Sequence, residues 1–171
     1  ITNLGGEVVA MTTDGTSIYV ATKDSSSIQK LDSMGNITSL WGSADLTDET
    51  IIDITYDNTG YIVVTHPTGI SAINLTTNSV DNYQKDYAPF TDLVSVDGIA
   101  YLGTYNTGVQ RIELATGTQL SPWQSTGLDE LEDIPVAAGN GFIYLGVPGL
   151  GVTIFDEITG EILEIWQGGG G

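Results

Sequence analysis

Two knots of carboxylates hold the chain's clearest prospect of chemistry. Asp45, Asp48, Glu49 and Asp53 fall within one short stretch, and Asp129, Glu130, Glu132 and Asp133 fall within another. Hard oxygen ligands bunched on a loop suit calcium, and the candidate ligands are Asp45, Asp48, Glu49, Asp129, Glu130 and Asp133. Their spacing is irregular, and the Asp-x-Asp-x-Asp-Gly loop with its distal Glu is absent. Solvated acidic loops therefore account for the same residues, and no cofactor other than calcium is expected. Paired carboxylates also cleave glycosides, but the separation that this chemistry needs is not set by linear spacing.

The remaining candidates are single residues. His66 is the only histidine and precedes Pro67, which gives two readings: a general base or metal ligand at a strand end, or a turn histidine. No second His, no Cys and no triad-like local motif accompanies it. Arg111, the lone arginine, either grips a carboxylate or makes a surface salt bridge. The glycine-rich stretch Gly146–Gly151 lacks a lysine and a following helix, which excludes phosphate binding. The aromatics Trp41, Tyr83, Trp123 and Trp166 offer either a carbohydrate-stacking surface or packing between repeats.

Charge narrows the classes further. The 171 residues carry 22 acidic and 4 basic side chains, a net charge of −18. Such a field repels phosphate backbones and anionic lipid, so nucleic-acid partners are excluded. No apolar run approaches the roughly 18 residues needed to span a bilayer, so no membrane insertion is expected. Absence of cysteine removes disulfides, thiolate sites and a Cys nucleophile. The acidic balance suits a saline or extracellular setting. Asn36-Ile37-Thr38 and Asn74-Leu75-Thr76 are glycosylation sequons of a kind that also arises by chance. A first residue of Ile rather than Met reads as a mature or excised segment.

These residues must be positioned by repeated strands. The aromatics at 41, 83, 123 and 166 each close a short apolar run and lie 42, 40 and 43 residues apart. A second ruler, Tyr19, Ile62, Tyr101 and Tyr144, steps by 43, 39 and 43. Self-similarity at this period, with several strand-like runs per repeat, predicts β-propeller blades. The repeats run 6–49, 50–90, 91–133 and 134–167, and Gly168–Gly171 reads as a linker or scar. Each opens on a near-continuous apolar run (Val8–Met11, Ile51–Tyr56, Leu93–Val96, Ile134–Ala138), as befits a strand buried on both sides. Second strands are SIYVAT, GYIVVT, IAYLGT and FIYLGV. Their small penultimate positions, Ala21, Val64, Gly103 and Gly146, let neighbouring blades approach. Third strands are SIQKL, ISAIN, VQRIEL and VTIFD, and an outermost strand ends in the aromatic. The fold class is all-β: four four-stranded antiparallel blades, forming either a closed four-bladed ring or half of a larger propeller.

DLTDETIIDITYDNTGYIVVTHPTGISAIN in the second repeat, YLGTYNTGVQRIELATG in the third and YLGVPGLGVTIFDEITG in the fourth resemble two-component-regulator propeller repeats. Tyr or Ile replaces that family's strand-two Trp, and its Leu-Pro element survives only as Leu46-Thr47 and Leu131-Glu132. The resemblance covers most of the chain and implies blades of periplasmic sensors or of secreted and surface proteins. It implies an extracellular, cell-surface or periplasmic location. The expected role is a non-catalytic recognition or scaffold module taking a protein or carbohydrate partner at its loops. The alternatives are an acidic-loop enzyme acting on glycans and a structural spacer. The expected assembly is a monomer or a two-fold dimer of half-rings.

Overall fold

A computed structural model describes residues 3–23, 26–46, 50–84, 90–104, 108–124 and 134–168. Regular structure among the described residues is entirely β, in four antiparallel sheets of four strands, each in chain order. Blade 1 consists of β1 (Val8–Thr13), β2 (Ile18–Thr22), β3 (Ser27–Leu31) and β4 (Ile37–Trp41). Blade 2 consists of β5 (Asp53–Asp57), β6 (Tyr61–His66), β7 (Gly69–Asn74) and β8 (Val80–Gln84). Blade 3 is built from β9 (Phe90–Val96), β10 (Ile99–Thr104), β11 (Gly108–Glu113) and β12 (Gln119–Trp123). Blade 4 is built from β13 (Val136–Gly139), β14 (Phe142–Val147), β15 (Gly151–Asp156) and β16 (Ile162–Gln167).

The turns follow from local chemistry. Asp97-Gly98 and Asn140-Gly141 both have positive φ at each residue and close two-residue hairpins, the mirror-image turn that matches strand twist. Elsewhere a side chain closes the turn. Asp14 Oδ1 accepts from the Thr16 and Ser17 amides, and Asp57 Oδ1 accepts from Thr59 N–H. Asp32 Oδ1 takes the Met34 and Asn36 amides, Asn74 Oδ1 those of Thr76 and Thr77, and Asp156 Oδ1 those of Ile158 and Thr159. Four of the chain's 22 acidic residues, Asp14, Asp32, Asp57 and Asp156, thus serve as turn caps.

The chain divides into two compact units, Ile1–Tyr87 and Ala88–Gly171. In the first unit, Tyr19, Ala21, Ile28 and Trp41 of blade 1 share a core with Ile54, Ile62, Val64 and Ile73 of blade 2. Leu46 and Ile51, from the connection, complete it. The Tyr56 amide donates across this joint to Thr12 Oγ1 at 3.0 Å. In the second unit, Tyr101, Val109 and Trp123 of blade 3 pack on Val136, Ile143, Leu145, Val147 and Phe155 of blade 4. Here Val136 N–H donates to Asp92 Oδ2 at 2.8 Å.

Three expectations need correction. First, β1 is not buried on both sides, because Val8, Val9 and Met11 are exposed. Second, the Tyr ruler slips by one in blade 2. Tyr19 pairs with Lys30, Tyr101 with Arg111 and Tyr144 with Ile154, and the matching pair in blade 2 is Val63 with Ala72. Thr65 therefore occupies the small position assigned to Val64. Blade 2 joins β6 to β7 by two residues where blades 3 and 4 use three, which shifts the count. Third, the small residue at 146 serves its own sheet: a Cβ there would stand 2.6 Å from Pro135 Cγ, on the chain entering β13.

Candidate interaction surface at the blade connections

In each antiparallel sheet the links after the first and third strands lie at one end, and the link after the second strand lies at the other, with the link to the next blade. The first end is closed by its own hydrogen bonds. Their electrostatics agree: the Asn36 side chain and amides hold Asp32 below the usual carboxylate range, and the Thr159 amide and hydroxyl do the same for Asp156. Burial by itself raises the Asp14 carboxyl, but bonds from Thr16, Tyr19 and Ser17 together outweigh it and leave it well below that range. Carboxylates engaged in this way have little capacity left for a ligand.

The other end carries the acidic connections. Asp45 is exposed; its Oδ2 accepts from Gly42 N–H at 3.0 Å, closing a turn in which the Asp45 and Leu46 amides reach back to the Gly42 carbonyl. Its carbonyl receives Asn82 Nδ2–H at 2.9 Å. Asn82 Oδ1 accepts from Ser71 Oγ at 2.5 Å, and Ser71 Oγ lies 3.0 Å from His66 Nε2. This chain of polar groups ties the connection between blades 1 and 2 to the interior of blade 2. Asp53 sits at the start of β5, where its Oδ1 caps the Ile54 amide. Asp48, Glu49, Asp129, Glu130 and Asp133, with Glu132, lie outside the described residues. Among the described residues no group of three or more His, Asp or Glu is placed to hold a metal.

His66 is neither an exposed base nor a turn residue: it ends β6, is buried and faces Ser71, which is buried too. The polar chain through Ser71 and Asn82 was missed, and only the strand register that sets 71 opposite 82 reveals it. The four aromatics occupy one register position, opposite Ile28, Ile70, Val109 and Val152 respectively. Trp41 and Trp123 are buried between blades, so they belong to packing rather than to a stacking platform. Among the described residues Arg111 meets no carboxylate. Its guanidinium lies over the Trp123 ring, 4.2 Å from the centroid, and its Nε and Nη2 donate to the Ser121 carbonyl.

No protein-family model and no curated protein matches the chain. Solved structures do. The computationally designed Ika4 protein aligns with a TM-score of 0.69 at 11% identity, over 91% of this chain and 94% of its own. AztD from Citrobacter koseri aligns at 0.75 and 13% identity, over 95% of this chain and 47% of its own. The WD40 domain of Pan2 from Neurospora crassa aligns at 0.66 and 14%, over 90% and 51%. Identities this low establish the fold alone. With four four-stranded antiparallel sheets, that fold is an all-β propeller of four blades. The chain spans about half the length of AztD and of the Pan2 domain, and nearly all of Ika4.

Proposed function

We propose that this chain is a non-catalytic recognition or scaffold module of a secreted, periplasmic or cell-surface protein, taking a protein or glycan partner at its blade connections. One observation carries the reading: the two ends of the sheets differ in how uniform their links are. The turns after first and third strands are short and repeat one chemistry: Asp or Asn caps at Asp14, Asp32, Asp57, Asn74 and Asp156, and tight hairpins at Asp97-Gly98 and Asn140-Gly141. The opposite connections vary in length from blade to blade and carry the two acidic clusters of the sequence. Variable loops on a rigid sheet scaffold are the usual seat of recognition. The buried His66 argues against acid–base catalysis, since it presents no ring nitrogen to solvent. The finer kinship, to two-component-regulator-type repeats, rests on the turn glycines and strand apolars of blades 2 to 4.

The test is a panel of glycans and glycan-bearing proteins screened for both binding and turnover, with Asp45→Asn, Asp48→Asn and Asp133→Asn alongside. Binding without turnover, weakened by these substitutions, is the expected outcome. Carboxylate-dependent turnover would replace the reading with a glycan-cleaving enzyme, and no binding at all would leave a spacer. Calcium is tested separately by melting in millimolar calcium and in chelator. Occupancy at 100 times Kd adds about 2.7 kcal/mol, and an unchanged Tm removes calcium from the proposal.

A further inference from the structure

The joint inside the second unit shows what a blade's aromatic is for. Trp123 pairs with Tyr101 of its own blade, with centroids 5.5 Å apart and planes at 41°, and stacks on Phe155 of blade 4 at 5.7 Å. Gly160 lies so close beneath the indole that a Cβ there would stand 2.1 Å from Trp123 Nε1. Blade 4 repeats the donor half of this joint. Trp166 lies opposite Val152 as Trp123 lies opposite Val109, and it pairs with Tyr144 at 6.1 Å and 42°. Yet Trp166 is 51% exposed, where Trp123 is buried. Beside it opens a cavity of about 200 Å³ lined by Tyr144, Gly146 and Val152 of the same face.

Blade 1 repeats the receiving half. Strand register makes Met11, Ile18 and Leu31 the counterparts of Val136, Ile143 and Phe155. Val136 and Ile143 are buried against blade 3, whereas Met11 is 65% and Ile18 47% exposed. Gly35 N–H closes onto the Asp32 carbonyl in a turn one residue shorter than that in which Gly160 N–H closes onto Asp156, and it has open space where Gly160 meets an indole. On this same face Gln29 is buried, its Oε1 without a hydrogen-bond partner among the described residues, at the wall of a cavity of about 370 Å³ that exposed Leu40 also lines. A buried acceptor without a donor marks a surface that is incomplete as it stands.

From these matched halves we propose that blade 4 of one copy seats on blade 1 of a second copy, Trp166 entering over Leu31 and Gly35, and that the contact is made twice about a two-fold axis. One chain carries both complementary surfaces, one in each of its two units, and the occupant named is a second copy; closure of blade 4 onto blade 1 of the same chain is the outcome that a single-chain mass would report. Exposed apolar faces of this kind favour association, and a two-fold closes the pair instead of leaving a growing filament. Two copies also amount to about the length of the larger propellers, of which one copy spans 47% and 51%.

The experiment is light scattering on the full chain and on two surface variants, Trp166→Glu and Met11→Glu, with folding verified by circular dichroism. The wild-type chain is expected at twice its 18.0 kDa, and each variant alone at the mass of one chain at the same concentration. Mixing the two variants is decisive. A mixed pair retains one intact junction, since the Trp166→Glu copy still offers Met11 and the Met11→Glu copy still offers Trp166. Partial recovery of the doubled mass is therefore expected on mixing and not in either variant alone. A wild-type mass of one chain, a doubled mass that survives either substitution, or no recovery on mixing each overturns the proposal. The last would mean that like faces meet like.

Discussion

The joint of the first unit and the joint of the second meet one packing requirement with different side chains. Blade 1 presents Tyr19 and Trp41 to the aliphatic wall Ile54, Ile62, Val64 and Ile73. Blade 3 presents Tyr101 and Trp123 to a wall that includes Phe155, so its aromatics continue as a stack with Arg111 on the indole face. The polar stitch differs as well: a hydroxyl, Thr12 Oγ1, receives the amide in the first, and a carboxylate, Asp92 Oδ2, receives it in the second. Even the indole nitrogens differ, since Trp41 Nε1 is buried without a partner among the described residues. What the repeat conserves is therefore a volume at one register position, and the bonding around that volume is free to vary.

Removing the volume gives the largest effect. Trp41→Ala and Trp123→Ala should each cost about 3–5 kcal/mol of unfolding free energy, read from urea midpoints. Phenylalanine separates the joints. Trp41→Phe deletes a donor with no acceptor, which offsets part of the lost packing. Trp123→Phe weakens the Arg111 contact, for which about 0.5–1 kcal/mol is typical. The Phe variant should therefore be more damaging at 123 by about 1 kcal/mol. Equal losses would mean that the two joints are energetically alike despite their chemistry.

A smaller effect probes what lies under the indole. Gly160→Ala forces a methyl into the Trp123 ring and should cost about 1–3 kcal/mol, since the sheet must shift to admit it. Gly35→Ala has the same left-handed backbone, φ +80 against +72, but open space around it. It should cost about 1 kcal/mol, from backbone strain alone. A Gly35→Ala loss as large as that of Gly160→Ala, in chains held at single-chain mass, would break the assigned equivalence of the two turns.

Much of this architecture was legible because it depends on pattern. Aspartate and glycine at the turns, alternating β-branched residues and the spaced aromatics specify sixteen strands with small errors at their ends. Register was harder. GYIVVT and IAYLGT look alike when aligned on their threonines, Thr65 and Thr104, yet β6 runs on to His66 because its following link is a residue shorter. Loop length decides that slip, and periodicity does not encode loop length. The site was less legible still. His66 beside Pro67 has the composition of a turn, and nothing in the linear order sets it against Ser71 and, through that hydroxyl, Asn82. Arg111 over Trp123 needs β11 to be paired with β12 before it can be seen. The acidic residues were visible as clusters, but composition does not separate turn caps such as Asp14 and Asp156 from the carboxylates of the blade connections.

The smallest effects come from the two buried tyrosines, and pH sharpens the comparison between joints. Burial, with the charge of Glu157 nearby, pushes the Tyr101 phenol up to about 12, against the counter-pull of Arg111. An unfolded tyrosine titrates near 10. Below about pH 10 both states keep the proton and the group contributes no pH dependence. Between about 10 and 12 the unfolded chain loses a proton that the folded chain still holds, so stability falls as pH rises. Tyr19 is also pushed up, by burial and then by the hydrogen bond and charge of Asp14, so its joint weakens in alkali as well. The acid side separates the two. Tyr19 Oη donates to Asp14 Oδ2 at 2.7 Å, and that bond helps to hold the carboxyl low. A depressed carboxyl adds stability above its unfolded value of about 3.9, and the gain is lost as pH falls through the folded value. Tyr101→Phe should flatten the alkaline fall alone, whereas Tyr19→Phe should flatten it and also reduce the loss of stability below about pH 4. Urea midpoints collected from pH 2 to 12 distinguish these outcomes. An acid limb in Tyr19→Phe that matches the wild-type chain would show that the phenol contributes nothing to the low titration of Asp14, leaving it to the Thr16 hydroxyl and the Ser17 and Thr16 amides.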